Sequence, residues 1–262
     1  MTGALLGIWA HPDDEAYLSA GLMALAGRAG DRVAVVTATR GEHGTDDPRT
    51  WPPDRLAPLR ERELAESLRV VGGAEHTWLG FADGTLGEAD RRPAVATLQR
   101  MIEHHRPDTV VTFGPDGMTG HDDHRTISSW VTEAWRRSGT PAALWYATLT
   151  PEFHARWGSL NEEVGLWFAG SPPPVTPVTD LAAHVVCSGD LLDVKHRALR
   201  AHASQTRALE TLVGTEAYRS WWSTESFVAA ERAVTRPSAQ AGRRRPGSTY
   251  AGRRRLRRPA SA

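Results

Sequence analysis

Apolar residues along this chain follow two alternating patterns. Short unbroken runs at residues 4–10, 33–38, 109–113 and 143–149, with a briefer one at 76–79, read as strands covered on both faces. Between them, apolar residues recur at helical spacing. Residues 16–29 form one such stretch, stopped by Gly30. Residues 59–71 form another, opened by Pro58 and stopped by Gly72-Gly73. A third covers residues 93–105, with Val95, Leu98, Met101 and Ile102 on one face, and a fourth starts at His124 and runs through Ile127, Trp130, Val131 and Ala134. This alternation predicts an α/β fold, a Rossmann-like and mostly parallel sheet flanked by helices and joined by right-handed crossovers.

The pattern is less regular elsewhere. Residues 45–57, with Pro48, Pro52, Pro53 and Trp51, read as a long functional loop, and Trp51 is its candidate sugar platform. After Pro151, short strands near 164–168 and 184–187 are expected either side of the stiff Pro172-Pro173-Pro174 connector. A helix over 191–203 and a last strand over 225–230 follow. Residues 236–262 contain nine Arg and no acid, which divides the chain into a domain over 1–235 and a disordered Arg-rich tail over 236–262. The body is then acidic, with 22 basic against 31 acidic residues. Arg243-Arg244-Arg245 and Arg253-Arg254-Arg255 could neutralise phosphates, which keeps a binding-protein reading open. Tyr250 is their only aromatic neighbour, so nucleic-acid or membrane contact is not the expected main function.

Composition narrows the class. The 262 residues are 40% hydrophobic and 24% charged, as in a globular protein with a full core. There is no 18-residue apolar stretch and no basic leader, and the one cysteine, Cys187, sits in an apolar run. A cytoplasmic protein without disulfides is expected. Neither Gly-x-Gly-x-x-Gly nor a Walker sequence is present, so the fold does not imply a nucleotide. Nothing in the sequence signals an oligomeric state.

The chemistry is concentrated where two strands end. The first strand empties into Ala10-His11-Pro12-Asp13-Asp14-Glu15, and the fourth leads to Gly120-His121-Asp122-Asp123-His124. Crowded acids repel one another and cost desolvation unless paired or metal-bound. Open α/β sheets bind ligands at the carboxyl ends of their strands, so the two clusters predict one bipartite metal site at the C-terminal ends of strands 1 and 4. A catalytic zinc takes three His/Asp/Glu ligands and keeps one position open, a requirement that His11, Asp14 and His124 can meet. Asp13 could take a proton from the activated water. His121 could donate to the substrate, with Asp123 orienting its ring and raising its pKa. That set suits hydrolysis of an amide or ester. Two His and one carboxylate also suit a non-haem Fe(II) oxygenase, which stays as the alternative. Asp83, just before Gly84, reads as a turn residue.

These motifs resemble the LmbE/PIG-L-type N-deacetylases, a family that includes N-acetylglucosaminyl-phosphatidylinositol deacetylases and the deacetylases of mycothiol and bacillithiol synthesis. The likeness continues through Thr39-Arg40-Gly41-Glu42, Arg60-x-x-Glu63, Leu79-Gly80-x-x-Asp83-Gly84 and His202-x-Ser204-Gln205, and so spans residues 4–206. It implies a Zn2+ enzyme (Fe2+ being possible in the cell) that removes acetyl from a small N-acetylated sugar or a thiol-conjugate relative. It also implies that His11, Asp14 and His124 are the ligands and Asp13 the general base. His121 would stabilise the oxyanion or protonate the leaving amine, supported by Asp123. Arg60 and Glu42 would contact substrate and Glu15 would support the ligands. Asp122 departs from the family's frequent Pro.

Overall fold

Strands and helices alternate along the chain as β1 (Leu5–Trp9), α1 (Asp14–Arg28), β2 (Val33–Thr37), α2 (Pro53–Val70), β3 (Glu75–Trp78), α3 (Arg91–His105), β4 (Thr109–Phe113), α4 (Asp122–Ser138) and β5 (Ala143–Thr148). Then come α5 (Pro151–Glu163), β6 (Ala183–Val186), α6 (Gly189–Ala201), α7 (Ala203–Val213), α8 (Thr215–Trp221) and β7 (Thr224–Ala229). This is a computed structural model, and the structure describes residues 3–170 and 172–231. The expected Arg-rich tail, 236–262, lies outside the described residues.

The strands form one seven-stranded sheet in the order β3-β2-β1-β4-β5-β7-β6. β1 to β5 are mutually parallel, while β7 runs antiparallel to both β5 and β6. β1 is central, with Leu5 in register with Val33 on one side and Thr109 on the other. Its five residues are all buried, as are those of β4, which explains why both read as continuous apolar runs. Helix α6 packs on both α1 and α2, and α3 packs on α4. The chain moves outward from β1 to β3 and then returns to β4 on the opposite side of β1. The crevice between the carboxyl ends of β1 and β4 is therefore the topological switch point.

Three expectations are corrected. The loop over 45–57 is shorter, because α2 starts at Pro53 and carries Pro58 inside it. Pro53 occupies the first helical turn, where a missing N–H costs nothing, and Leu56, Arg60 and Leu64 bury the inner face strongly enough to hold the helix through Pro58. Residues 164–168 are not a strand. Val164 ends α5, Gly165 turns with φ 69°, and Leu166 N–H returns to the Asn161 carbonyl at 2.9 Å. Finally, the helical region continues beyond 203 as α7 and α8. Among the described residues no helix is long and apolar enough to cross a membrane.

Candidate active site

Both halves of the site are held by helix starts at the switch point. His11 follows β1, Asp13 is the residue before α1, and Asp14 and Glu15 open that helix. Asp13 has φ 109°, a left-handed backbone that costs a side-chain-bearing residue strain and is tolerated only where neighbours over-determine it. Here they do. Asp13 N–H donates to Glu15 Oε2 at 2.9 Å, and His11 N–H donates to Asp14 Oδ2 at 2.7 Å. On the other side, His121 caps α4 and its Nδ1 accepts the Asp123 N–H at 3.1 Å. His124 lies one turn in, its ring stacked on Phe113 at 4.0 Å between centroids.

The tertiary structure brings His11, Asp14 and His124 together. His11 Nδ1 is 3.1 Å from His124 Nε2, Asp14 Oδ1 is 3.4 Å from His124 Nε2, and Asp14 Oδ2 is 3.7 Å from His11 Nδ1. The outer nitrogens are already committed. His124 Nδ1 faces the Gly117 carbonyl at 3.0 Å, and His11 Nε2 faces Asp83 Oδ1 at 3.0 Å and Asp123 Oδ2 at 3.3 Å. Those acceptors place the ring protons outward and turn two nitrogen lone pairs and a carboxylate inward. Three electron-pair donors converging in this way require a positive species between them. The two ring nitrogens lie close to the edge of about 3.3 Å expected for a tetrahedron with zinc–nitrogen bonds of ordinary length, and Asp14 meets them with different oxygens, Oδ1 toward His124 and Oδ2 toward His11. The outward N–H bonds to carboxylate and carbonyl are the usual support for ligating imidazoles. The donor set therefore fits a divalent transition-metal ion. Among the described residues, His11, His121 and His124 form one close group, each bringing a ring nitrogen within 4.8 Å of the others. His11, Asp83 and Asp123 form a second close group, but its contacts are spent on the His11 N–H and on backbone amides.

The electrostatics show the same demand for positive charge. Burial opposes charging His11, but its bonds to Asp123 and Asp83 and the field of Asp14 outweigh that and raise its pKa to about 10. Burial likewise raises Asp14 to about 7, against the opposing pull of His11. His124 is held far below the ordinary range, first by burial and then by the charge on His11 and His121. Burial raises Asp13 as well, although Arg60 and His202 pull the other way.

Several expected roles look different once placed. The Asp123 carboxylate does not orient His121. It takes the N–H groups of Gly84 and Leu86 at 2.8 and 3.1 Å and reaches His11. The pKa of His121 is lowered, by burial and then by the charge of His11, where the sequence reading had Asp123 raising it. Arg60, expected to contact substrate, is only 3% exposed. Its guanidinium donates to Gly41 O at 2.8 Å, to Pro12 O, and to Asp13 Oδ2 at 3.2 Å. Glu42 accepts the Asp83 N–H at 3.0 Å and so braces the loop, leaving its Oε2 without a partner. Trp51 has the Arg55 guanidinium over its ring at 4.7 Å. Asp122 points to solvent.

Glu15 supports the first half of the site through Ser67 Oγ at 2.8 Å and His202 Nε2 at 2.7 Å. The sequence reading missed Asp83, which looked like a turn residue but lies against His11. It also missed Glu63, which receives the N–H and hydroxyl of Ser204 at 2.8 and 2.6 Å. The acid and hydroxyl in Arg60-x-x-Glu63 and His202-x-Ser204 were visible as motifs. Only their pairing was hidden, because the partners lie 141 positions apart in the chain.

With the geometry in hand, comparison with known proteins identifies the class. Residues 6–135 match the family described as PIG-L: GlcNAc-PI de-N-acetylase. The 1D-myo-inositol 2-acetamido-2-deoxy-alpha-D-glucopyranoside deacetylase of Saccharomonospora viridis is 33% identical over 227 residues, covering 77% of this chain and 84% of that protein. The chain belongs to the PIG-L family. Among solved structures, the N,N'-diacetylchitobiose deacetylase of Pyrococcus horikoshii shares the fold with a TM-score of 0.60 and 23% identity, over 87% of this chain and 84% of that one. The same fold also houses GalB, a 4-carboxy-2-hydroxymuconate hydratase from Pseudomonas putida KT2440, with a TM-score of 0.56 and 17% identity over 90% and 98% of the two chains. The architecture alone therefore does not select the reaction.

Proposed function

We propose that this protein is a metal-dependent N-deacetylase that hydrolyses the acetamide of an amino sugar, with a sugar–inositol conjugate of the kind named for its relatives as the first candidate substrate. The observation that carries this reading is the inward convergence of His11 Nδ1, His124 Nε2 and the Asp14 carboxylate beside a fourth, separately held acid, Asp13.

In this reading His11, Asp14 and His124 hold a divalent ion, Zn2+ or Fe2+. When bound, the ion lowers the pKa of a water toward neutrality and polarises the acyl oxygen. Asp13 accepts the proton that the attacking water loses. Its raised pKa suits it to that task, and the Arg60 and Glu15 contacts hold it in place. His121 acts as a neutral donor. With Nδ1 taking the Asp123 amide, its proton lies on Nε2, where it can hydrogen-bond to the oxygen that becomes negative as the carbonyl carbon turns tetrahedral. Asp13 then hands its proton to the departing nitrogen, leaving acetate and a free amine. Asp83 and Asp123 keep the His11 ring oriented, and Glu42 holds Asp83 in turn. A cytoplasmic setting accords with the buried, unpaired Cys187.

The deciding experiment is an amine-release assay on a panel of N-acetylated amino sugars, including a glucosaminyl-inositol conjugate, with Zn2+ supplied and with chelator added. Chelator-sensitive release of one amine per acetate is expected. No release from any member by metal-loaded protein would overturn the proposal.

A further inference from the structure

The chain has 31 basic residues, and only one of them, Lys195, is a lysine. It is buried completely in α6, and its Nζ lies 2.6 Å from Oε1 of the equally buried Glu225 in β7. The pair does more than neutralise itself. Lys195 Nζ also donates to the Tyr17 and Ala16 carbonyls of α1, at 2.7 and 3.2 Å. Glu225 accepts the N–H of Gly21 at 2.7 Å and of Leu22 at 2.8 Å, again in α1. Within the continuous α1 those N–H groups are also directed toward the carbonyls of residues 17 and 18. An ion pair from two remote elements thus holds two carbonyls and two N–H groups of the helix whose first residues are Asp14 and Glu15.

The residue types match that task closely. Three acceptors around one nitrogen call for the compact ammonium of lysine, whereas a planar Arg fork reaches acceptors pairwise. Gly21 admits the carboxylate. A Cβ there would stand 3.2 Å from both Glu225 oxygens and 2.5 Å from Cys187 Sγ. Cys187 fills the remaining space as an inert thiol, its pKa pushed up to about 12 by burial and by Glu225.

We infer that the Lys195–Glu225 pair is a positioning device that sets where the first turn of α1 stands, and through it the places of Asp13 and Asp14. Neither residue is catalytic. The backbone carbonyls that Lys195 holds belong to the two residues directly after Glu15, so a shift of the clamp moves the acid-bearing turn as a unit. A site tolerance of about 0.5 Å makes such a shift costly in rate. The inference rests on the proposed roles of Asp13 and Asp14, but its test includes measurements that do not need turnover.

The test compares full-length wild type with the Lys195→Met/Glu225→Gln double variant, which removes both charges together, and with His196→Gln. The latter is a control that breaks another α6 ion pair, the 3.0 Å contact to Glu210 of α7, without touching an α1 backbone group. Zn2+ affinity of the metal-free proteins, amide hydrogen exchange of residues 14–20, and kcat and KM are read for each. The double variant should lose about tenfold or more in Zn2+ affinity and in kcat while KM stays within about threefold, and its α1 amides should exchange faster. The control should match wild type in all four. If the double variant does not fold, Gly21→Ala, which crowds the carboxylate without removing charge, is read by the same criteria. A folded variant with wild-type Zn2+ affinity, exchange and kcat overturns the inference, as does an equal loss in the control. Absence of amide hydrolysis in wild type would instead count against the proposed function and leave the exchange and Zn2+ measurements to decide this one.

Discussion

His202 Nε2 stands 2.7 Å from Glu15 Oε1, with both side chains fully buried and the two residues 187 positions apart in the chain. Glu15 uses its other contacts on Ser67 and on the Asp13 amide, so the pair ties the start of α1 to the junction of α6 and α7.

This pair predicts a defined pH window for stability. Burial works against the charged forms, but mutual attraction prevails, lowering the pKa of Glu15 and raising that of His202. The Glu15 contribution is present above its unfolded pKa of about 4.3 and is lost as pH falls through the lower folded value. The His202 contribution is complete below about 6.5 and is lost as pH rises through the raised folded value. His202→Asn should cost about 3–5 kcal/mol between those limits, because it leaves a buried carboxylate unpaired. Melting temperatures of wild type and variant should converge as the solution becomes alkaline. A constant difference from pH 5 to pH 10, measured by thermal denaturation at about one-unit steps, would argue against the charge pairing.

Asp13→Ala should lower kcat by about 10²–10⁴ and leave metal content at the wild-type level, since Asp13 lies outside the converging donors. Elemental analysis beside steady-state kinetics reads both. Loss of the metal together with activity would move Asp13 from base to ligand.

His124→Ala should lose the metal and the activity together, and chelated wild type should regain activity with added Zn2+. Turnover should be unchanged under strict anaerobiosis without an oxo-acid cosubstrate. Dependence on oxygen would favour the Fe(II) oxygenase reading that the same three ligands permit.

Arg60 separates two roles by kinetics. Its guanidinium is buried and committed to Asp13 and two carbonyls. Arg60→Lys should therefore depress kcat by about tenfold or more with KM little changed. A raised KM with kcat intact would restore the substrate contact implied by the family resemblance.

Much of the fold was legible from residue patterns. β4 occupies the residues that its apolar run outlined, and the two His/Asp clusters were placed at the right strand ends, because burial on both faces and ligand binding at carboxyl ends leave local traces. α5 was missed although Pro151 and the capping hydroxyl of Thr150 announce its start. The run after it looked like a strand because Val164, Leu166 and Trp167 pack against the core without pairing.

By itself the sequence determined that two His/Asp clusters would follow β1 and β4 and the order in which the central strands would come along the chain. These depend on composition and period within short windows. Only the tertiary structure decided what those side chains do to one another. It turned Asp123 and Asp83 toward His11, closed Arg60 around Asp13, joined Glu15 to His202, and set the Lys195–Glu225 pair against the backbone of α1. These are contacts between residues from 30 to 204 positions apart, formed where helices and strands pack against one another. No local window of sequence carries the direction of a side chain across such a gap.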